Sequence, residues 1–147
     1  MCTPTIFHAL QGRRTTPGKT AEPVRDDLRA RIAYVAARLI VSSNAKEIQD
    51  HARTTAVHIE GLVSDNTIDI FDFSSSCRLA GERSEDGYSL FDYDANQYVD
   101  LNLDGDDFEG FDYATGTRYT GEVRERSVRI FDYGESSDFE YSLKDPN

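Results

Sequence analysis

The chain has 147 residues, a formal net charge of -11 and an apolar fraction of 38%, with eight Tyr, eight Phe and no Trp. This length fits one domain, and the aromatic-rich composition suits half-buried strands better than a thick core. No stretch reaches transmembrane length, and so negative a field argues against direct nucleic-acid binding. The two cysteines, Cys2 and Cys77, imply no disulfide framework, which favours a reducing, cytoplasmic setting.

Residues 1–20 carry Pro4, Gly12, Arg13, Arg14, Pro17 and Gly18 and read as a flexible basic arm. A helical segment is expected over 21–55. Its first helix begins near Pro23, a residue suited to a first turn, and Leu28, Ile32, Val35 and Leu39 draw one apolar stripe. The run from Ile32 to Val41 is followed by Ser43-Asn44-Ala45, but Arg38 interrupts it and Asp26-Asp27 precede it, as in an amphipathic helix and not a signal peptide. Asn44 with Glu47 resembles a capping box for a second, short helix through Arg53, carrying Ile48 and Ala52; a single kinked helix is the alternative.

From Ala56 the period changes from helical to alternating, and 56–147 reads as an acidic repeat domain. Phe71-Asp72-Phe73, Phe91-Asp92-Tyr93, Phe111-Asp112-Tyr113 and Phe131-Asp132-Tyr133 return at an interval of 20 residues, the mark of duplicated supersecondary structure. Turn signals every ten residues or so make each repeat a β-hairpin. The expected fold is α+β: a helix or helix pair, then an antiparallel meander of about nine strands.

Turns centred on residues whose numbers end in 5 set a register in which Ile59, Phe71, Leu79, Phe91, Val99, Phe111, Tyr119, Phe131 and Phe139 form one buried row. On the opposite face the same register lines up His58, Asp72, Arg78, Asp92, Tyr98, Asp112, Arg118, Asp132 and Asp138, pairing each repeat's Asp with Arg78, Tyr98 or Arg118. Both faces are partly apolar and must be covered. Closure into a barrel, a second copy, or the helix lying on the sheet would each do so, and the helix on the sheet is favoured.

Asp100, Asn102, Asp104 and Asp106 around Gly105 match the first half of a calcium loop, with Glu109 nearby; the twelfth position is Phe111 where a bidentate Glu is needed, and Asp104-Gly105 also reads as a plain turn. His58 opposite Asp72 is the one His–Asp pairing in this register, and it lacks a nucleophile or metal partner. His8 and His51 have no metal-ligand spacing, and Cys77 falls on the core face as an inert thiol. No phosphate loop, nucleophile elbow or zinc-type Cys pair occurs, so the chain does not read as an enzyme.

Asp72, Asp92, Tyr98, Asp112, Asp132 and Asp138 are therefore taken as an interaction surface for a basic protein partner or a second copy, with Arg13, Arg14 and Lys19 as a source of positive charge. The expected function is a non-enzymatic interaction or scaffold module that needs no cofactor. A calcium-dependent binding domain and an acidic nucleic-acid mimic are the alternatives. Arg118-Tyr119-Thr120-Gly121-Glu122-Val123, followed by Tyr133-Gly134, resembles MORN repeats, and Leu79-Ala80-Gly81-Glu82 echoes them. That resemblance implies hairpin repeats and a scaffolding role, and no site residue follows from it.

Overall fold

The computed structural model describes residues 22–144, so the expected basic arm lies outside the described residues. One helix, α1 (Asp26–Val41), precedes ten strands: β1 (Glu47–Asp50), β2 (Thr55–Val63), β3 (Thr67–Asp72), β4 (Cys77–Ser84), β5 (Gly87–Asp92), β6 (Gln97–Asp104), β7 (Asp107–Asp112), β8 (Thr117–Arg124), β9 (Ser127–Asp132) and β10 (Ser137–Lys144). They form an antiparallel meander that closes when β1 pairs with both β10 and β2. Closure leaves no sheet edge among these strands.

Three expectations need correction. The second short helix is β1: Glu47, Ile48, Gln49 and Asp50 pair with Lys144, Leu143, Ser142 and Tyr141, so long-range pairing overrides the local capping signal. The strand count is accordingly ten. The helix also does not lie on an open sheet. Every residue from Leu28 to Ala37 is buried, and α1 contacts β1 and β2 as well as β6, β8, β9 and β10. It runs inside the barrel.

Geometry explains that position. About eight strands make a barrel that side chains alone can fill, and ten leave a wider lumen. A helix is about 10–12 Å across with its side chains and can occupy that space. Opposite the stripe of Leu28, Ile32 and Val35 stand Ala30, Ala33 and Ala37, small enough for the wall to approach closely. The Tyr34 hydroxyl donates to the Ala45 carbonyl at 2.5 Å, fixing the helix to the segment that leads into β1.

The register is one residue away from the expected one. Ile59 faces Asp72, Phe71 faces Arg78 and Leu79 faces Asp92. Connections at one end turn on two residues (Asp65-Asn66, bracketed by the Ser64 N–H on the Thr67 carbonyl, then Glu85-Asp86, Gly105-Asp106 and Glu125-Arg126), and at the other end on four (Phe73–Ser76, Tyr93–Asn96, Tyr113–Gly116, Tyr133–Ser136). Both lengths are even, so no turn can centre on a single residue, and the faces of alternate strands exchange. Ile59, Leu79, Val99 and Tyr119 stay inside. Phe71, Phe91, Phe111 and Phe131 go outside, and the Asp of each repeat goes in.

Candidate functional site

The inward Asp residues form a ring at the four-residue-loop end of the barrel. Asp72, Asp92, Asp112 and Asp132 are joined by Asp50, the last residue of β1, and none is more than 2% exposed. Each odd-numbered strand thus ends in a buried Asp, followed by a loop whose fourth residue has positive φ: Thr54, Ser76, Asn96, Gly116 and Ser136. The carboxylate caps its own loop. Asp72, Asp92, Asp112 and Asp132 accept the N–H of Ser74, Asp94, Ala114 and Gly134 at 2.9–3.1 Å, and Asp50 accepts that of Arg53 at 3.1 Å. The barrel therefore holds five hairpins of one design, the first set 22 residues before the second.

Arginines at the N-cap and in the N-terminal half of α1 meet this ring. Arg31 Nε stands 3.0 Å from Asp72 and its Nη1 3.4 Å from Asp92. Arg25 pairs with Asp92 and Asp94. Arg29 Nη1 donates to Asp132 at 2.9 Å, its Nε to the Tyr141 hydroxyl at 3.1 Å, and its guanidinium lies 3.5 Å over the Phe139 ring. Asp50 is held by Arg53 Nε at 2.6 Å. The Val24 N–H on Asp132 and the Thr117 hydroxyl on the Glu22 carbonyl secure the segment leading into the lumen.

Asp112 is the ring member with no direct arginine partner among the described residues; Thr115 Oγ1 donates to it at 2.8 Å. Burial raises its pKa above the ordinary carboxylate value, outweighing the lowering by Thr115, the Ala114 N–H and the more distant Arg25. A raised folded-state pKa favours the protonated form, so its contribution is complete below the unfolded value near ~3.9 and is lost as pH rises through the folded one. Asp112→Asn keeps an acceptor for Ala114 and removes the charge. It is expected to match the parent in urea unfolding near pH 3 and to be at least as stable near pH 7; a variant less stable at pH 7 than at pH 3, relative to the parent, contradicts this.

Four of the six expected surface residues, Asp72, Asp92, Asp112 and Asp132, are thus inside, because the one-residue shift exchanged the faces. Tyr98, 53% exposed, and Asp138 remain on the outer wall. The expected pairing of His58 with Asp72 does not form: His58 Nε2 bonds Glu60 at 2.7 Å on the outside. Arg78 and Arg118 pair with Asp69 and Glu109 and not with the repeat aspartates. Cys77 is buried in the wall, and Cys2 lies outside the described residues.

Asp100, Asn102 and Asp104 alternate along the outward face of β6, with roughly 7 Å between successive members of that series, and do not wrap around a point. Asn102, Asp104 and Glu109 line an outer groove with Glu122 and Arg129, whose guanidinium lies 3.6 Å from Glu122. Among the described residues no three His, Cys, Asp or Glu side chains are placed to hold a metal ion.

Sequence reasoning missed the outer rim. Phe73, Tyr93, Tyr113 and Tyr133 open the four-residue loops and are 38–52% exposed. Each meets the preceding Phe of its triplet edge-on, at 4.8–4.9 Å between ring centroids. Each also donates its N–H to a strand of the hairpin before: Phe73 to His58, Tyr93 to Arg78, Tyr113 to Tyr98 and Tyr133 to Arg118, at 2.9–3.2 Å. Between these rings the wall carries Asp69, Asp100, Glu109 and Glu140.

No helix among the described residues is long and apolar enough to cross a membrane. The outward strand positions carry Asp69, Arg78, Asp100, Glu109, Arg118 and Arg129, and an arginine on a lipid-facing barrel wall costs about 2–4 kcal/mol at the bilayer midplane. Comparison with known protein families, curated proteins and solved structures finds no match for this chain. The resemblance to MORN hairpins therefore rests on its own short motif. In this barrel Tyr119 of that motif is buried, with its hydroxyl on the Asp100 carbonyl at 2.6 Å, and Gly121 lies beneath the Phe108 ring.

Proposed function

We propose that the protein is a non-enzymatic binding module whose outer aromatic and acidic rim takes a basic segment of a partner protein. The observation that carries this reading is the repeated edge-to-face pair of rings on four successive hairpins, half exposed and set among outward carboxylates. The lumen is filled by α1, and the buried carboxylates are occupied by arginines, loop N–H groups and hydroxyls, so the wall is the surface left for a partner. Rings and carboxylates together suit cationic side chains on aliphatic stems, which stack on rings and pair with acids.

The outer acids are interleaved with Arg78, Arg118 and Arg129, unlike an unbroken row of phosphates, which favours a peptide partner over a nucleic-acid mimic. Titration of the full chain with a ten-residue peptide bearing three arginines tests the proposal. The expected result is binding that weakens as salt rises and falls further in Phe73→Ala/Tyr113→Ala, the two rim rings over which no arginine of the described residues lies. Absence of binding at low salt contradicts it. Sedimentation of the protein alone at low and high salt separates a second copy as the partner: a salt-sensitive dimer would favour self-association through Arg13 and Arg14.

A further inference from the structure

The rim contains its own template for a bound cation, and one repeat leaves that place open. Arg78 lays its guanidinium over the Tyr93 ring at 4.9 Å, and Arg118 does the same to Tyr133 at 5.2 Å. His58, at the corresponding position one hairpin earlier, meets Phe73 at 5.3 Å. In each case the ring belongs to the next loop, and its backbone N–H is bonded to the carbonyl of the residue that covers it.

The Tyr113 N–H bonds the Tyr98 carbonyl in the same way at 3.1 Å, so the backbone frame is unchanged there. Position 98 is Tyr, however, and its ring turns onto Phe91 at 5.1 Å. Among the described residues no arginine lies over Tyr113, which is 49% exposed.

Two further differences accompany this substitution. Arg78 and Arg118 are held by acids on the neighbouring strand, Asp69 and Glu109, and the matching position before Tyr98 is Ser89. Asp100 stands where the adjacent hairpins carry Ala80 and Thr120, and it accepts the Tyr113 hydroxyl at 2.9 Å. This hairpin has thus lost the guanidinium and its acid and has gained a carboxylate beside the uncovered ring.

The geometry points to a guanidinium site over Tyr113, bounded by Tyr98 and Asp100, that takes an arginine side chain of a partner protein. This rests on the binding role proposed above and gives that role a location and a residue type. Arginine fits better than lysine because its planar head stacks on a ring while its N–H fork reaches a carboxylate, as Arg78 does with Tyr93 and Asp69.

The test uses the full chain and N-acetyl-arginine amide, followed by NMR of the tyrosine rings. The Tyr113 and Tyr98 signals are expected to shift more than those of Tyr93 and Tyr133, and more than with N-acetyl-lysine amide. Tyr98→Arg, which installs the residue found in the neighbouring hairpins at an exposed position, is expected to weaken the response at Tyr113 at least tenfold. Asp100→Asn, which keeps an acceptor for the Tyr113 hydroxyl, is expected to weaken it several-fold. Equal shifts at Tyr93, Tyr98, Tyr113 and Tyr133, or an undiminished response in Tyr98→Arg, overturn the assignment. If Tyr98→Arg still binds the arginine peptide as the parent does, the rim reading survives and this site does not; loss of peptide binding in the parent removes both.

Discussion

Arg31→Met is expected to destabilise the protein by about 3–5 kcal/mol, the range for removing one partner of a buried ion pair. The Arg31 side chain has no exposure, and its guanidinium answers Asp72 and Asp92, both buried. Methionine fills similar space and leaves Asp72 with only the Ser74 and Ser75 groups. In a domain of this size the loss corresponds to a fall in melting temperature of roughly 10 °C or more. Adding Asp72→Asn, which keeps the loop cap and removes the stranded charge, is expected to recover part of the loss. Calorimetry on the single and double variants checks both statements, and an Arg31→Met protein as stable as the parent would place that arginine outside the ring.

Gly110→Val is the second large effect. Gly110 faces the lumen on β7, and a Cβ there would stand 1.9 Å from the Asp100 carbonyl oxygen and 2.2 Å from the Tyr119 hydroxyl. The carbonyl belongs to the backbone of β6, and the hydroxyl is bonded to that same oxygen, so neither can move without disturbing the wall. Overpacking of this kind costs about 1–3 kcal/mol and sometimes more. Gly105 is the control: a Cβ there meets nothing within 4 Å, and its φ of +65° suits Asn. Urea unfolding should show Gly110→Val strongly destabilised and Gly105→Asn nearly unchanged. The reverse order would contradict the close approach of β6 and β7.

The repeat and its antiparallel strands are legible in the sequence because a fixed aromatic-Asp-aromatic spacing has few structural causes. Its faces were not, for a reason of a single residue. The odd-centred turns made the Asp of each triplet a surface group, whereas loops of two and four residues turn it inward. The signal that could have corrected this is the preference of hairpins for two-residue loops, which Gly105-Asp106 satisfies as a Gly-first pair.

Asp50 was hidden for a different reason. It precedes Asp72 by 22 residues, and Asn44 with Glu47 imitated a helix cap. The position of α1 was half visible. Leu28, Ile32 and Val35 marked one buried side, and with Ala30, Ala33 and Ala37 on the other the helix is apolar on every side, which is the mark of a buried helix. Arg25, Arg29 and Arg31 obscured that pattern, because their partners in the Asp ring lie 41 to 103 residues away.

The central claim is that α1 occupies the lumen and holds the Asp ring from within. Native-state hydrogen exchange resolved at single amides across Ile32–Ala37 tests it most directly. A helix enclosed on all sides predicts that these amides, whichever way they face, exchange only through global unfolding, with the same free energy as β5 and β9. Fast exchange recurring every three to four residues along α1, well below the global value, would mean that one side faces water, and would contradict the account.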